Sequence, residues 1–206
     1  MLLHSSVRRS FRTVRDIISV SADFYIAMAA GVLLLPLPWI SAWLFSALFH
    51  ELCHYIAVRI CGYTVSGIRI SLKGVFMETE ALSAANEAIC AYAGPIGALV
   101  LLLLARRFPR VAVCTIVQSL YNLLPVFPLD GGRGVGCILR NVLGDERGKQ
   151  AFVIVEGFVL LALLFLALFA YIKLGLGLLP VLAVIFIIVK NKKINIPCKN
   201  SRKGVQ

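Results

Sequence analysis

Charged residues are scarce in this sequence, and their scarcity excludes most soluble folds. Only 15% of the 206 residues are charged and 60% are hydrophobic, whereas average soluble domains are about 25% charged and about half apolar. A soluble domain of this length needs a polar exterior, and this chain lacks the residues to make one. The uncharged runs 98–104, 158–170 and 178–189 instead predict an all-α polytopic membrane protein that forms a single domain over residues 1–206.

Acidic residues are the rarer charge, with ten Asp and Glu against 21 Lys and Arg. The basic residues concentrate at the two ends of the chain, at Arg8, Arg9, Arg12, Arg15, Lys190, Lys192, Lys193, Lys199, Arg202 and Lys203. No basic stripe lies on a polar segment, which argues against nucleic acid as a partner. Basic flanks around apolar segments follow the positive-inside rule, so we expect a multi-pass protein of the cell membrane with both termini in the cytoplasm.

Cysteine pairs with metal-site spacing are also missing. The six cysteines show no C-x-x-C pattern, which argues against a cysteine metal site or a disulfide framework. We interpret them as small apolar residues of the core. Cys53 is the exception to examine, because it follows His50 by three residues and would border any site that His50 forms.

The apolar runs predict about six transmembrane helices, with a basic amphipathic helix before them (1–18) and a basic tail after them (190–206). The transmembrane core occupies residues 20–189, with spans at about 20–37, 40–61, 84–105, 110–127, 151–172 and 174–189. Residues 133–149 are predicted to form a basic loop. Between the second and third spans, Ile68, Ile70 and Leu72 alternate with polar residues and Gly74 follows. This alternation predicts a short β-hairpin within residues 63–80.

The sequence His50-Glu51-Leu52-Cys53-His54 carries the strongest chemical signal, and it lies inside the second predicted span. Residues i and i+4 share one face of a helix, so His50 and His54 can both reach one metal ion. Glu51 lies beside this pair and can act on a water molecule that the metal activates. A lone H-E-x-x-H is a hypothesis, but two of the three histidines of the chain form this one.

A catalytic zinc usually has three protein ligands, so a third one is needed. Asp130 is the candidate for this third ligand, because an acidic residue at the end of an apolar span is costly without a partner. Pro125 and Pro128 break the helix before it, and Gly131 and Gly132 allow close approach of the backbone. The alternative interpretation is a turn that leaves the membrane, with Asp130 as a helix cap.

The H-E-x-x-H motif, together with Asn122-x-x-Pro125-x-x-Pro128-Leu129-Asp130-Gly131-Gly132, resembles the site-2 proteases, the intramembrane zinc metalloproteases. The segment 93–98 between them is similar to the family's third-span signature. The layout of six spans with a hairpin after the second resembles the branch of the stage IV sporulation protein FB, which processes a sporulation sigma factor precursor. These motifs cover about residues 40–140.

The resemblance implies a hydrolase that cuts a membrane-associated protein within or near its transmembrane segment. Zn²⁺ would be held by His50, His54 and Asp130, and Glu51 would be the catalytic base. Asn122 and Pro125 would lie along the substrate. An unwound substrate helix must pair its backbone inside the bilayer, and we expect the strand at 68–72 to offer its edge for this.

Two other classes of protein remain open from the sequence. A catalytically inactive membrane scaffold or chaperone would keep the fold, although the intact Glu51 argues against it. A metal transporter would need acidic or His residues on several spans, and Asp23, Glu87 and Glu156 make a poor pathway. Regulatory membrane proteins are possible partners under each interpretation.

Overall fold

The computed structural model describes residues 18–71, 74–174, 178, 181–182 and 184–185. The α-helices of this part are α1 (Ala22–Leu34), α2 (Leu37–Ile60), α3 (Ala84–Ala98), α4 (Pro109–Leu123), α5 (Asp130–Leu143) and α6 (Asp145–Leu174). A 3-10 helix, Leu99–Leu104, continues α3, and the strands are β1 (Ile18–Val20), β2 (Val65–Ser71) and β3 (Gly74–Thr79). Residues 1–17 of the predicted amphipathic helix, the tail 190–206 and most of the predicted span 174–189 lie outside the described residues.

The three strands form one sheet in the order β1-β2-β3. β2 and β3 make the predicted hairpin, with Ile70 opposite Val75, so that prediction is confirmed. β1 was not predicted, and it pairs in parallel with β2 through Ile18 and Ile68. The expectation that the 68–72 strand offers a free edge is wrong, because β2 is the middle strand and its residues 68–70 are paired on both sides.

The long helix α2 buries one stripe and exposes the rest of its surface. The buried residues Ala42, Ser46, His50 and Val58 recur at multiples of four, which is one face of an α-helix. The other faces carry exposed large apolar side chains, at Trp39, Trp43, Phe45, Leu48, Leu52, Ile56 and Ile60. Large exposed apolar surface indicates contact with lipid or with another protein rather than with water. The buried stripe of α2 therefore faces the other helices.

Two helical segments of the described chain are long and apolar enough to cross a membrane, Ala84–Leu104 and Asp145–Lys173. The prediction of six spans is not confirmed. α1 and α4 have 13 and 15 residues, against about 20 for a full crossing. α4 ends at Leu123 rather than near 127, because Pro125 and Pro128 follow. α2 has 24 residues, but it carries His50, Glu51, His54 and Arg59 among its apolar side chains.

The segment 133–149, predicted as a loop between spans, is helical over most of its length, because α5 occupies residues 130–143 and α6 starts at Asp145. The glycines at the start of α5 are required by packing. A Cβ on Gly131 would lie 2.2 Å from the carbonyl oxygen of Leu123, and one on Gly132 would lie 2.4 Å from the carbonyl carbon of Val126. The start of α5 therefore lies directly against the backbone that leads into it.

The last helix, α6, starts at Asp145 rather than at 151. Gly144 has φ 86° and turns the chain between α5 and α6, a conformation that favours glycine. Asp145 also accepts two hydrogen bonds from Arg140, at 3.1 and 2.8 Å. Further along α6, Phe152 packs with Ala84, Ala88 and Cys137 in the apolar core between α3, α5 and α6.

A candidate metal centre

His50, His54 and Asp130 come together where α2 meets the start of α5. Nε2 of His50 lies 3.0 Å from Oδ2 of Asp130, and Nε2 of His54 lies 3.1 Å from the same oxygen. The two Nε2 atoms are 3.1 Å apart. Asp130 is the first residue of α5, while the cap position belongs to Leu129. The carboxylate of Asp130 thus faces the histidines instead of capping the helix.

The ring of His54 is oriented by helix α3. Its Nδ1 lies 2.7 Å from the carbonyl oxygen of Cys90, which can only accept a hydrogen bond, so Nδ1 carries the hydrogen. In the neutral ring Nε2 then has a free lone pair directed at His50 and Asp130. A Cβ on Gly94 would lie 2.2 Å from this Nε2, so the ring occupies space that only glycine leaves open.

The ring of His50 is more deeply enclosed, with 2% of the residue exposed. Its Nδ1 has no hydrogen-bond partner among the described residues. One helical turn earlier, buried Ser46 contacts Thr115 at 3.0 Å and donates to Gln118 at 2.9 Å, both on α4. α4 therefore covers the side of α2 that carries His50.

The three side chains fit a metal ion. Two imidazole nitrogens and a carboxylate oxygen offer one ligand atom each within 4.8 Å of one another. Zinc bonds of about 2.0–2.2 Å in tetrahedral geometry place neighbouring ligand atoms about 3.3–3.6 Å apart, slightly more than the 3.0–3.1 Å found here. The hydrogen bond from Nδ1 of His54 to a carbonyl is the usual support for a metal-binding histidine.

Glu51 is half-buried on the same helix, one residue after His50. Its carboxylate interacts electrostatically with His50, His54 and Asp130. It is not one of the three side chains whose ligand atoms converge. This placement leaves its carboxylate beside the cluster and able to accept a proton there.

The remaining predicted residues, Asn122, Pro125 and Cys53, lie close to the metal cluster in the sequence. Their contacts with the described residues do not define a role. Asn122 is half-buried in the last turn of α4, and Pro125 is half-buried in the segment between α4 and α5. Their substrate roles stay predictions. Cys53 packs against α3, where a Cβ on Gly97 would lie 2.8 Å from its Sγ.

Two functional candidates were not identified from the sequence, Arg133 and Glu87. Arg133 follows Asp130 by one helical turn, and its Nη1 lies 3.7 Å from Oδ1 of Asp130. Its Nη2 donates to Oε1 of Glu87, a buried residue in the first turn of α3. The sequence offered one signal, because a carboxylate in an apolar segment needs a partner. Glu156 also has one, since it accepts a hydrogen bond of 2.6 Å from the backbone N–H of Phe127.

Comparison with solved structures relates this fold to a known one. The site-2 protease from Methanocaldococcus jannaschii superposes with a TM-score of 0.53, over 86% of this chain and 91% of that one, at 18% sequence identity. The two proteins share a fold. The fold accounts for the arrangement of the helices, and at this level of identity it does not by itself assign an activity.

Comparison with curated proteins gives a second likeness. The chain is 32% identical over 120 residues to "Putative zinc metalloprotease Rip3" of Mycobacterium tuberculosis, in the strains Erdman and H37Rv. The match takes in 49% of this chain and 30% of the relative, so the chain spans only part of the relative's length. No family model matches the chain.

Proposed function

We propose that this chain is an intramembrane zinc metalloprotease of the site-2 protease family, hydrolysing a peptide bond within or near the transmembrane segment of a membrane-associated protein. The observation that carries the proposal is the convergence of His50, His54 and Asp130 within 3.0–3.1 Å beside Glu51. The shared fold with an archaeal site-2 protease and the likeness to Rip3 support it.

The chemical roles follow from the side chains. His50, His54 and Asp130 would hold the zinc ion, which would supply Lewis-acid chemistry and lower the pKa of a water molecule, so that the water can lose a proton and attack a carbonyl near neutral pH. Glu51 would accept the proton of that water at its carboxylate and deliver it to the leaving amine. The enclosure of His50 keeps bulk water from one side of the site.

The substrate must be unwound to expose a peptide bond, and its backbone groups then need partners inside the bilayer. Because β2 is the middle strand, the edge we propose is the outer side of β3, which carries no strand among the described residues. An extended substrate would add there as a fourth strand. Asn122 and Pro125 would border the scissile bond.

The finer assignment concerns the branch and the topology. We propose the branch of the stage IV sporulation protein FB, with a sporulation sigma factor precursor as the substrate, because the hairpin follows the H-E-x-x-H helix directly. We propose six spans with both termini cytoplasmic, because the basic residues concentrate at both ends. Reporter fusions at the two termini test the topology, and an external C-terminus would overturn it.

The transporter alternative loses support because the buried carboxylates outside the cluster, within the part of the chain that the structure describes, are already engaged. Glu87 pairs with Arg133, and Glu156 holds the backbone of Phe127. Groups committed to structural partners make a poor ion pathway. The scaffold alternative is tested together with the protease by substitution of Glu51.

The test is co-expression with tagged candidate substrates, comparing the parent with Glu51→Gln. Gln is nearly isosteric, so the fold and the zinc content should persist. Cleavage should fall by about a hundredfold to ten-thousandfold, the usual contribution of general-base catalysis. The matched control is Glu146→Gln, an exposed glutamate at the start of α6, which should cleave like the parent. Normal cleavage by a well-expressed Glu51→Gln protein would reject the protease and favour the scaffold.

A further inference from the structure

The pair formed by Glu87 and Arg133 connects α3 to the aspartate of the candidate metal centre. Arg133 uses two different nitrogens, Nη2 for Glu87 and Nη1 for Asp130. The two oxygens of Asp130 are divided in the same way. Oδ2 faces both histidines, at 3.0 and 3.1 Å, and Oδ1 faces Arg133 at 3.7 Å. The aspartate is thus approached from both sides.

Burial of Glu87 makes this contact more than a surface ion pair. The side chain of Glu87 is 7% exposed, and that of Asp130 is 13% exposed. A buried carboxylate is costly without a cation, and an ion pair that is removed from water is much less screened than an exposed one. Arg133 therefore lies between two carboxylates, hydrogen-bonded to Glu87 and at ion-pair distance from Asp130.

We propose that Glu87 and Arg133 are positioning residues that hold the carboxylate of Asp130 with Oδ2 toward His50 and His54. This inference rests on the proposed function, because it concerns the ligand that Asp130 would supply. Arg133 fixes the rotation of the carboxylate through Oδ1, and Glu87 fixes Arg133 from the neighbouring helix. Zinc affinity then depends on a glutamate of α3 that is not among the three ligands.

The geometry favours arginine over lysine at position 133. The guanidinium presents its nitrogens as a rigid fork, so one side chain can serve carboxylates on two helices. A lysine carries a single ammonium group on a flexible chain and would have to choose between Glu87 and Asp130. Arg133→Lys should therefore recover part of the zinc affinity that Arg133→Met loses.

The experiment measures zinc affinity of the purified full-length protein by competition with a chelator, for the parent, Arg133→Met, Arg133→Lys and Glu87→Gln. We expect Arg133→Met to weaken zinc binding about 10- to 100-fold, the usual effect of losing a residue that supports a metal ligand. Glu87→Gln should weaken it less, and the double variant should be no worse than Arg133→Met. The visible spectrum of the cobalt-substituted protein should change in parallel.

Arg140→Met is the matched control, because Arg140 is a buried arginine of the same helix that pairs with Asp145 instead. It should lower thermal stability and leave zinc affinity and the cobalt spectrum unchanged. If Arg133→Met behaves in the same way as this control, the pair only joins α3 to α5 and the inference is wrong. In that case the proposed function still stands if the parent binds zinc and the Glu51→Gln variant no longer cleaves. A parent that binds no zinc overturns both.

Discussion

Helix α2 packs against α3 and α4 by opposite means. Toward α3 the contact depends on missing side chains, since Gly94 leaves room for His54 and Gly97 leaves room for Cys53. Toward α4 it depends on polar groups, since Ser46 contacts Thr115 and Gln118. Small residues and side-chain hydrogen bonds are the two usual ways in which helices associate in membranes. Here the small residues lie beside the candidate metal centre, so changes in volume should matter more there than changes in polarity on the other side.

The largest effect is expected from Gly94→Ala. The new Cβ would lie 2.2 Å from Nε2 and 2.5 Å from Cε1 of His54, so the ring must leave its place or α3 must move away. Either change disturbs a proposed ligand, and we expect zinc affinity to fall about a hundredfold or more. Chelator competition on the purified protein measures it.

Gly157→Ala on α6 is the control for that substitution, because no atom of the described residues lies within 4 Å of the added Cβ. It should keep full zinc affinity and gain about 0.5–1 kcal/mol of stability, the usual difference between Gly and Ala in a helix. If Gly94→Ala binds zinc as tightly as Gly157→Ala, the position of His54 is not needed for binding.

Gly97→Ala should have an intermediate effect of a different kind. Its Cβ would lie 2.8 Å from Sγ of Cys53. This contact is one helical turn away from the clash that Gly94→Ala creates with His54. Overpacking of this size typically costs about 1–3 kcal/mol, so we expect a lower unfolding temperature with nearly unchanged zinc affinity. Cys53→Ala in the same chain removes the nearest atom and should restore part of the stability. A loss of zinc affinity as large as that of Gly94→Ala would mean that both substitutions disturb the metal centre in the same way.

The smallest effect is expected from Ser46→Ala on the α4 side. Hydrogen bonds between membrane helices contribute on average about 0.6 kcal/mol, and Thr115 and Gln118 can still pair with each other or with water. We expect stability to fall by about 1 kcal/mol or less, measured by unfolding in detergent, with zinc affinity unchanged. A stability loss larger than that of Gly97→Ala would show that the polar contact with α4 matters more for stability than the close packing against α3.

The parts of the fold that the sequence predicted are those with a local pattern. The alternation around Ile68 and Ile70 predicted the hairpin, and the i,i+4 histidines predicted one helical face. β1 has only three residues and is stabilised by pairing with β2, about 50 residues later in the chain. No local pattern could reveal it.

Helix α5 was missed for a related reason. Gly131, Gly132 and Gly134 have low helix propensity, about 1 kcal/mol each below alanine. The reason for these glycines is visible only in the tertiary structure, where Leu123, Val126 and the ring of Tyr92 pack directly against them. Glu87 was noticed as an acid in an apolar segment, but its partner lies 46 residues away. Contacts at such separations belong to the tertiary structure.

The bond between Nδ1 of His54 and the carbonyl of Cys90 has a consequence for how this centre can evolve. Every residue type carries the same backbone carbonyl, so the acceptor persists whichever side chain occupies position 90, provided that α3 keeps its path. The support of His54 is therefore insensitive to mutation at the residue that provides it. The restriction falls four residues later, at Gly94. A comparison of related sequences would find variation at 90 and a fixed glycine at 94, and would overlook the residue that orients the ring.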